Sequence, residues 1–414
     1  MIVLLAPALA AVAQENAPET APLEISGRYP HLAMLNHQGE CGTGAVVPWA
    51  DRLWVITYAP HRPTGSDDKL YEIDANLSRV SRPESIGGTP ADRLIHRESN
   101  QLVIGPYFID AQRNVRVVPS DHMPGRLTAA ARHLTDPANK VYIYGMEGEL
   151  YEVDVHTLAA TKLFARVAPG AHGKGAYTGQ GRLVIANNGN DIVNKAKPAL
   201  HDPEYAKDPE SDGILAEWDG KTWHTVERRQ FTDIVGPGGI EGSPEDSSPL
   251  WALGWDKRSV MLNLLDAGQW HTYRLPVADY TYVAKHGWYT EWPRIREVTG
   301  GHLLMNMHGE WYEFPKTFSA SNTGGIRPLG TYLKITGDFC PWHDRIVFGC
   351  DDASLMGNPL LGQSQSNLWF TTWDDLPTHG RPAGFGGPWV EDAVKAIDLA
   401  SHPQADSLKI VIQP

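Results

Sequence analysis

The chain has 414 residues, enough for two average domains or one large all-β domain. Its formal net charge of −13 argues against a nucleic-acid partner, because phosphate binding needs a basic footprint. The 31 prolines and 40 glycines suit many short strands joined by turns better than long helices.

The first 13 residues, MIVLLAPALAAVA, are apolar and end in small residues before Gln14. This pattern predicts a signal peptide over 1–13, although the usual basic residues before the apolar stretch are missing. No other stretch is long enough to span a bilayer, so we expect a secreted or periplasmic protein without a membrane partner. Residues 14–35 are interpreted as an N-terminal extension.

Cys340 and Cys350 fall on neighbouring strands of one predicted hairpin. An exported protein could join them in a disulfide. Two buried free thiols are an equally good interpretation. No Cys/His spacing in the chain, Cys41 included, resembles a zinc site.

One kind of short apolar strand recurs along the chain at intervals of 49, 39, 42, 77, 43 and 43 residues. Periods of 40–50 residues built from strands are typical of propeller blades. The copies are LWVITYAPH from Leu53, LVIGPYFID from Leu102, VYIYGMEG from Val141, LVIANNGN from Leu183, VMLNLLDAG from Val260, LLMNMHGE from Leu303 and IVFGCDD from Ile346.

The 77-residue interval contains a Pro- and Asp-rich insertion, roughly Gly189–Ser211. As a long loop inside the fourth blade it leaves seven blades, and an eighth, degenerate blade is the alternative. We therefore predict an all-β, seven-bladed β-propeller over residues 36–390. Residues 391–414 depart from the blade pattern and either close the ring or form a separate tail.

In a propeller, the loops before each inner strand and after each second strand meet at one mouth of the central channel. Binding sites on rigid scaffolds lie in such loops. Before the predicted inner strands stand His37, Arg93, Arg126, His172, Lys174, Tyr289 and Arg294. After the second strands stand His61, Tyr107, Asn187, Asn188, Asp266, His308 and Asp351.

This set predicts a local basic pocket in an otherwise acidic protein, which an acidic ligand would need. Taken singly, Arg93 and Arg126 are more often ion-paired rim residues. A lone loop histidine is more often structural. His96 and His133 lie within or at the far end of inner strands and are interpreted as structural.

The stretch GAHGKGAYTGQGRLVIANNGN combines a base candidate, a cation and a phenol in His172, Lys174 and Tyr177. Its glycines would let the backbone approach a ligand closely. Neither GxGxxG nor GxxxxGK[ST] is present, which argues against a nucleotide. A GxSxG elbow is also absent, and the rim favours His and cations over carboxylate pairs, hence elimination over hydrolysis.

Several segments resemble polysaccharide lyase family 27, over about residues 36–390. They are GAVVPWADRLWVITY, DRLIHRESNQLVIGPYFIDAQRNVRVVP, ARHLTDPANKVYIYGMEGELYEVDVHTL, HGKGAYTGQGRLVIANNG and YTEWPRIREV with LLMNMHGEWYEFPKTF. The resemblance implies a seven-bladed propeller and an L-rhamnose-α-1,4-D-glucuronate lyase that removes rhamnose caps from arabinogalactan-type glycans. It also implies a histidine base, His61 or His172, and an active-site arginine, Arg294; the tail after Glu391 does not match.

Elimination next to a uronate requires a neutralised carboxylate, a base of near-neutral pKa and an acid. We assign Lys174 and Arg294 to the carboxylate, and His172 or His61 to the base. The other histidine or Tyr177 is the acid. The remaining predicted sugar contacts are His37, Arg93, Arg126, Asn187, Asn188, Tyr289 and His308.

We expect a monomer that acts on an acidic polysaccharide or oligosaccharide and requires no cofactor. Ca²⁺ is an option through Asp266 and Asp351, although two scattered aspartates make a poor site. The alternatives are a lyase for another uronate polysaccharide, such as ulvan, and a non-catalytic glycan-binding propeller.

Overall fold

A computed structural model gives the architecture of the chain. It describes residues 24–26, 32–36, 42–59, 62–88, 91–167, 172–189, 213–236, 239–241, 248–255, 259–276, 294–307, 310–331, 336–351, 364–374, 376 and 411–413. The predicted signal peptide and the insertion near Gly189–Ser211 lie almost wholly outside these residues. In the described part, no helix is long and apolar enough to cross a membrane.

The described strands form seven four-stranded antiparallel sheets arranged as a β-propeller, as predicted. Strands β1 (Glu24–Ser26) and β2 (Leu32–Asn36) precede blade 1, which is β3 (Gly42–Trp49), β4 (Arg52–Tyr58), β5 (Leu70–Ile73) and β6 (Arg79–Ser81). Blade 2 is β7 (Arg93–His96), β8 (Gln101–Ile104), β9 (Tyr107–Asp110) and β10 (Val115–Val117). Blade 3 is β11 (Leu127–Arg132), β12 (Lys140–Gly145), β13 (Leu150–Asp154) and β14 (Ala160–Phe164).

The remaining blades follow the same order. Blade 4 is β15 (Gly173–Gly179), β16 (Arg182–Asn187), β17 (Ile214–Trp218) and β18 (Trp223–Glu227). Blade 5 is β19 (Gln230–Val235), β20 (Leu250–Trp255), β21 (Ser259–Asp266) and β22 (Gln269–Pro276). Blade 6 is β23 (Arg294–Glu297), β24 (Leu303–Met307), β25 (Glu310–Phe314) and β26 (Arg327–Thr331); blade 7 begins with β27 (Thr336–Trp342), β28 (Arg345–Asp351) and β29 (Ser364–Thr371).

The N-terminal strand β2 closes the ring. It pairs antiparallel with β29, with Leu32 opposite Leu368, and is the outermost strand of blade 7. The propeller therefore begins inside the predicted N-terminal extension. The C-terminal strand β30 (Val411–Gln413) pairs in parallel with β1, outside the seven blades.

The core consists of apolar clusters that each join two neighbouring blades. Seven such clusters are found among the described residues, one for each blade interface. Between blades 7 and 1, for example, Val46 and Val55 pack against Trp342 and Val347. The second strands of the repeat are continuous apolar runs because each is buried on both faces of its sheet and contributes side chains to the clusters on both sides.

One strand differs from the sequence-based expectation, and the free-thiol interpretation of Cys340 is the one that the structure supports. VMLNLLDAG forms β21, the third strand of blade 5, because LWALGW from Leu250 is the second. Cys340 is a free buried thiol, since its register partner on β28 is Val347, whereas Cys350 lies opposite Thr336.

Candidate functional site

The first strand of each blade lies innermost, and these strands contact one another around the central channel. We call the end at which they begin the mouth, and the end at which they turn into the second strands the turn face. Of the residues predicted to precede inner strands, Arg93, Arg126, His172, Lys174 and Arg294 lie at the mouth. His37, His61, Tyr289 and His308 lie outside the described residues.

Below the mouth, ion pairs link inner strands of different blades. On one side, Arg93 Nε of blade 2 lies 2.8 Å from Asp338 Oδ2 of blade 7. On the other, Arg296 Nη1 of blade 6 donates to Asp233 Oδ2 of blade 5 at 2.7 Å. Arg296 also reaches Asp338, and Arg294 Nη1 lies 3.7 Å from Asp233 Oδ1.

The ammonium-bearing side chain of Lys174 joins this group. It is 7% exposed and lines a cavity together with Arg93, Asp233 and Arg296. We call the group of six residues the charged layer; its members are Arg93, Lys174, Asp233, Arg294, Arg296 and Asp338. Of these six residues, four carry a formal positive charge and two a formal negative charge, and all six are buried or nearly so.

The charged layer forms the floor of the mouth, and a turn of the chain crosses the channel beneath it. A short 3₁₀ turn, Gly239–Glu241, follows β19 of blade 5 and reaches across the channel to contact β7 of blade 2. Its Ile240 packs on the apolar cluster between blades 1 and 2. We call this turn the plug; the cavity between it and the charged layer is about 40 Å³, room for only a few waters.

His172 stands at the mouth, directly before β15, in a left-handed conformation with φ of 71°. Its Nδ1–H donates to the carbonyl oxygen of Gly189 at 2.6 Å, which leaves Nε2 as the basic nitrogen of the neutral ring. Burial lowers the pKa of His172 to about 4, and the charge of nearby Lys174 acts in the same direction. The imidazole is therefore neutral at physiological pH and able to accept a proton.

The two arginines that begin blades 2 and 3 have carboxylate partners, as the structural interpretation of a rim arginine requires. Arg126 Nε donates to Glu147 Oε1 at 2.7 Å, beside the mouth. Arg93 pairs with Asp338 within the charged layer. Neither partner was identified from the sequence.

His96 and His133 have structural roles, as expected. Both ring nitrogens of His96 are hydrogen-bonded, to Ser99 Oγ and to the carbonyl of Pro137. The Nδ1 of His133 accepts from two backbone amides, so its Nε2–H faces Glu152 at 2.8 Å.

Asn187 and Asn188 lie beside His172 but are fully buried, at 0% and 1% exposed. Asn187 Oδ1 accepts from the amide of Gly189, and the amide of Asn188 donates to the carbonyl of His172. These bonds hold the turn on which the imidazole stands. The two asparagines thus position His172 rather than offering an open surface to sugar hydroxyls.

Tyr177 is not brought to the mouth. It lies five residues along β15 from His172, roughly 16 Å at strand rise. Its ring packs with Ile234 and Leu250 in the cluster between blades 4 and 5. Tyr107 is likewise buried, and its hydroxyl accepts from the amide of Ile86.

The glycines of β15 serve the packing of blades rather than a ligand. A Cβ on Gly173 would lie 2.5 Å from the carbonyl oxygen of Gly145, in blade 3. One on Gly175 would lie 3.0 Å from the amide nitrogen of Ile234, in blade 5. Glycine at these positions lets β15 pack tightly against β12 of blade 3 and β19 of blade 5.

The predicted calcium pair is not assembled. Asp266 ends the third strand of blade 5, at the turn face, where its Oδ2 accepts from the amide of Ala320. Asp351 ends the second strand of blade 7, at the mouth. Within the described ranges, no three His, Cys, Asp or Glu residues gather as metal ligands do.

Asp233, Arg296 and Asp338 were missed by the sequence analysis, which searched only the ends of strands. They lie inside the inner strands, in FTDIV, RIRE and TGDFC. Side chains two residues apart share one face of a strand. That rule would have grouped Arg296 with Arg294.

Comparison with known proteins finds structural similarity at low sequence identity. No protein-family model and no curated protein matches the sequence. Among solved structures, the chain is similar to the β-propeller domain of Cps50 (Swd1) from Myceliophteria thermophila, with a TM-score of 0.46 and 11% identity over 80% of this chain and 96% of that one. It is also similar to YCF48 bound to D1 peptide, with a TM-score of 0.43 and 9% identity over 85% of this chain and 99% of that one.

Proposed function

We propose that the mouth binds the carboxylate of a uronate sugar and that the protein is a polysaccharide lyase. The observation that carries this proposal is the gathering of four cationic side chains, those of Arg93, Lys174, Arg294 and Arg296, in the charged layer at the mouth. A carboxylate bound there would accept charge-assisted hydrogen bonds in a partly desolvated site. Lys174 and Arg294 are the residues assigned to this contact.

His172 supplies the base of the proposed elimination. Its Nε2 takes the C5 proton of the uronate, the C–H electron pair forms the C4–C5 double bond, and the bond from C4 to the glycosidic oxygen breaks. The leaving oxygen takes its proton from solvent, since Tyr177 lies too deep to give one. Neutralising the carboxylate makes the C5 proton acidic enough for a weakly basic imidazole.

The resemblance to polysaccharide lyase family 27 names the first substrate to test, the rhamnose-α-1,4-glucuronate cap of arabinogalactan. Elimination there releases rhamnose and leaves an unsaturated uronate. Ulvan and other uronate polymers present the same carboxylate and proton. A panel of such polymers therefore identifies the substrate once turnover is seen.

A non-catalytic propeller that binds acidic glycans is the second candidate. Two observations favour it: Arg93 and Arg126 already have carboxylate partners, and a pKa of about 4 makes His172 a weak base. This candidate predicts glycan binding without turnover.

The test is incubation with rhamnose-capped arabinogalactan, followed by assay of free rhamnose and of the ultraviolet absorbance of the unsaturated uronate. We expect both signals, and a 10²–10⁴-fold lower rate for His172→Ala, the usual contribution of a general base. His156→Ala, at an exposed turn of blade 3, is the matched control and should retain full rate.

Rhamnose without new absorbance would indicate hydrolysis instead. Binding without either product would favour the second candidate. Full activity in both His172→Ala and His61→Ala would remove the assignment of the base.

A further inference from the structure

A cleft of about 470 Å³ lies at the turn face, at the opposite end of the channel from the mouth. It is formed by the turns that join the first and second strands of blades 7, 1 and 2. Its volume falls within the range of small-ligand pockets. We call it the turn-face cleft. Its lining includes Trp49, Asp51, Arg97, Asn100, Trp342 and His343.

Two indole rings and several hydrogen-bonding side chains line this cleft. Trp49 is half-buried and Trp342 is buried, so their rings form fixed apolar surfaces. His343 packs against Trp342 with ring centroids 4.2 Å apart. Asp51, Arg97, Asn100 and His343 are exposed and bring acceptors and donors of both charges to the rim.

Two residues in one turn at the rim of the cleft adopt an unfavourable backbone conformation. Trp49 pairs with Arg52, so Ala50 and Asp51 form a two-residue hairpin loop, and both have positive φ, 50° and 56°. Two comparable loops elsewhere in the ring place glycine second, in Gln180–Gly181 and Ala267–Gly268. Glycine adopts this conformation freely, whereas any other residue is strained there.

Asp51 therefore holds a carboxylate at the cleft in the position where the Gln180–Gly181 and Ala267–Gly268 loops have glycine. Strained backbone of this kind tends to be found at ligand sites. Asn100, with φ of 52°, and His343, with φ of 52°, repeat the pattern in the neighbouring turns.

We propose that the turn-face cleft is a binding site for a neutral sugar unit of one or two pyranose rings. The flat apolar face of a pyranose fits an indole floor, and its hydroxyls both donate to a carboxylate and accept from a guanidinium or amide. Opposite charges at the rim, Asp51 and Arg97, favour a neutral ligand over an acidic one. This site is separate from the mouth and does not depend on the proposed lyase activity.

The test is saturation-transfer NMR on the full chain with cellobiose, maltose and lactose, which lack the carboxylate that the mouth requires. We expect transfer to at least one disaccharide, and a Kd at least 5-fold weaker for Asp51→Gly and Asn100→Gly. Each of these changes relieves a strained φ, so the fold should persist with an unchanged or higher Tm.

Ala50→Gly is the matched control, because it relieves the same loop without removing a polar group, and its Kd should not change. No transfer from any of the three disaccharides would overturn the proposal. Transfer that persists unchanged in both Asp51→Gly and Asn100→Gly would also overturn it.

Discussion

Asp92 and His172 titrate in unusual ranges because burial disfavours the charged form of each. Burial raises the pKa of the Asp92 carboxyl to about 8, although its own backbone and Arg93 oppose the shift. Among the described residues, neither carboxyl oxygen has a hydrogen-bond partner. Asp92 is therefore a neutral acid at pH 7, directly before a residue of the charged layer.

Replacing Asp92 with asparagine should change the pH dependence of stability. In the wild type, the unfolded carboxyl loses its proton near pH 4 while the folded one retains it to about pH 8. The free energy of unfolding therefore falls as pH rises through this window. Asp92→Asn removes this loss. The free energy of unfolding of the variant minus that of the wild type should therefore be roughly 2–5 kcal/mol larger at pH 8 than at pH 4.

Urea unfolding of both proteins at pH 4, 6 and 8 measures this difference. The asparagine amide is nearly the same size as the carboxyl, so the comparison isolates the charge. A stability difference that does not grow with pH would show that Asp92 ionises normally.

Residues at strand ends could be predicted, and residues inside inner strands could not. His172, Lys174 and Arg294 were placed at one mouth because the repeat fixes where each inner strand begins. The partner of Arg93 escaped prediction because this ion pair joins two blades across 245 positions of the sequence. Periodicity within one blade carries no information about such pairs.

At the scale of elements, the closing strand comes from the opposite end of the chain. Leu32 and Met34 of β2 are buried in blade 7, at 8% and 1% exposed. The backbone of β2 also pairs the otherwise open edge of β29. An unpaired edge of this kind invites association with other chains.

Deleting residues 1–36 should therefore destabilise the propeller, whereas deleting residues 1–31 should be tolerated better. Burial of two large apolar side chains contributes about 3–6 kcal/mol. We expect a Tm several degrees lower for the longer deletion, with concentration-dependent association. Differential scanning calorimetry and light scattering measure both, and equal Tm values for the two deletions would contradict a closing role for β2.

The blades were predictable as elements because their second strands are continuous apolar runs at nearly even spacing. Blade 5 was misread for the same reason, since its third strand, β21, is as apolar as its second. Closure of the ring by β2 was not predictable, because β2 lies far from blade 7 in the sequence and no hairpin turn joins it to β29.

The two ends of the central channel differ chemically in a protein whose net charge is negative. The mouth gathers buried cations, while the turn-face cleft has rim charges of both signs. Salt screens interactions between charges but leaves contacts between neutral groups largely unaffected. The two ends should therefore respond differently to ionic strength.

Raising NaCl from 0.05 to 0.5 M should weaken binding of an acidic oligosaccharide several-fold. Binding of a neutral disaccharide should change little over the same range. Calorimetric titration with each ligand provides the measurement, and each titration is the control for the other. Acidic-sugar affinity that is independent of salt would argue against the charged layer as its site.

The plug crosses the channel from blade 5 to blade 2, which opposes the passage of a long polymer through the ring. Under the proposed lyase activity, we therefore expect only a chain end or a short branch to enter the mouth, and the released unit to leave by the same opening. Cleavage would then proceed from chain ends and leave the interior of a polymer backbone intact.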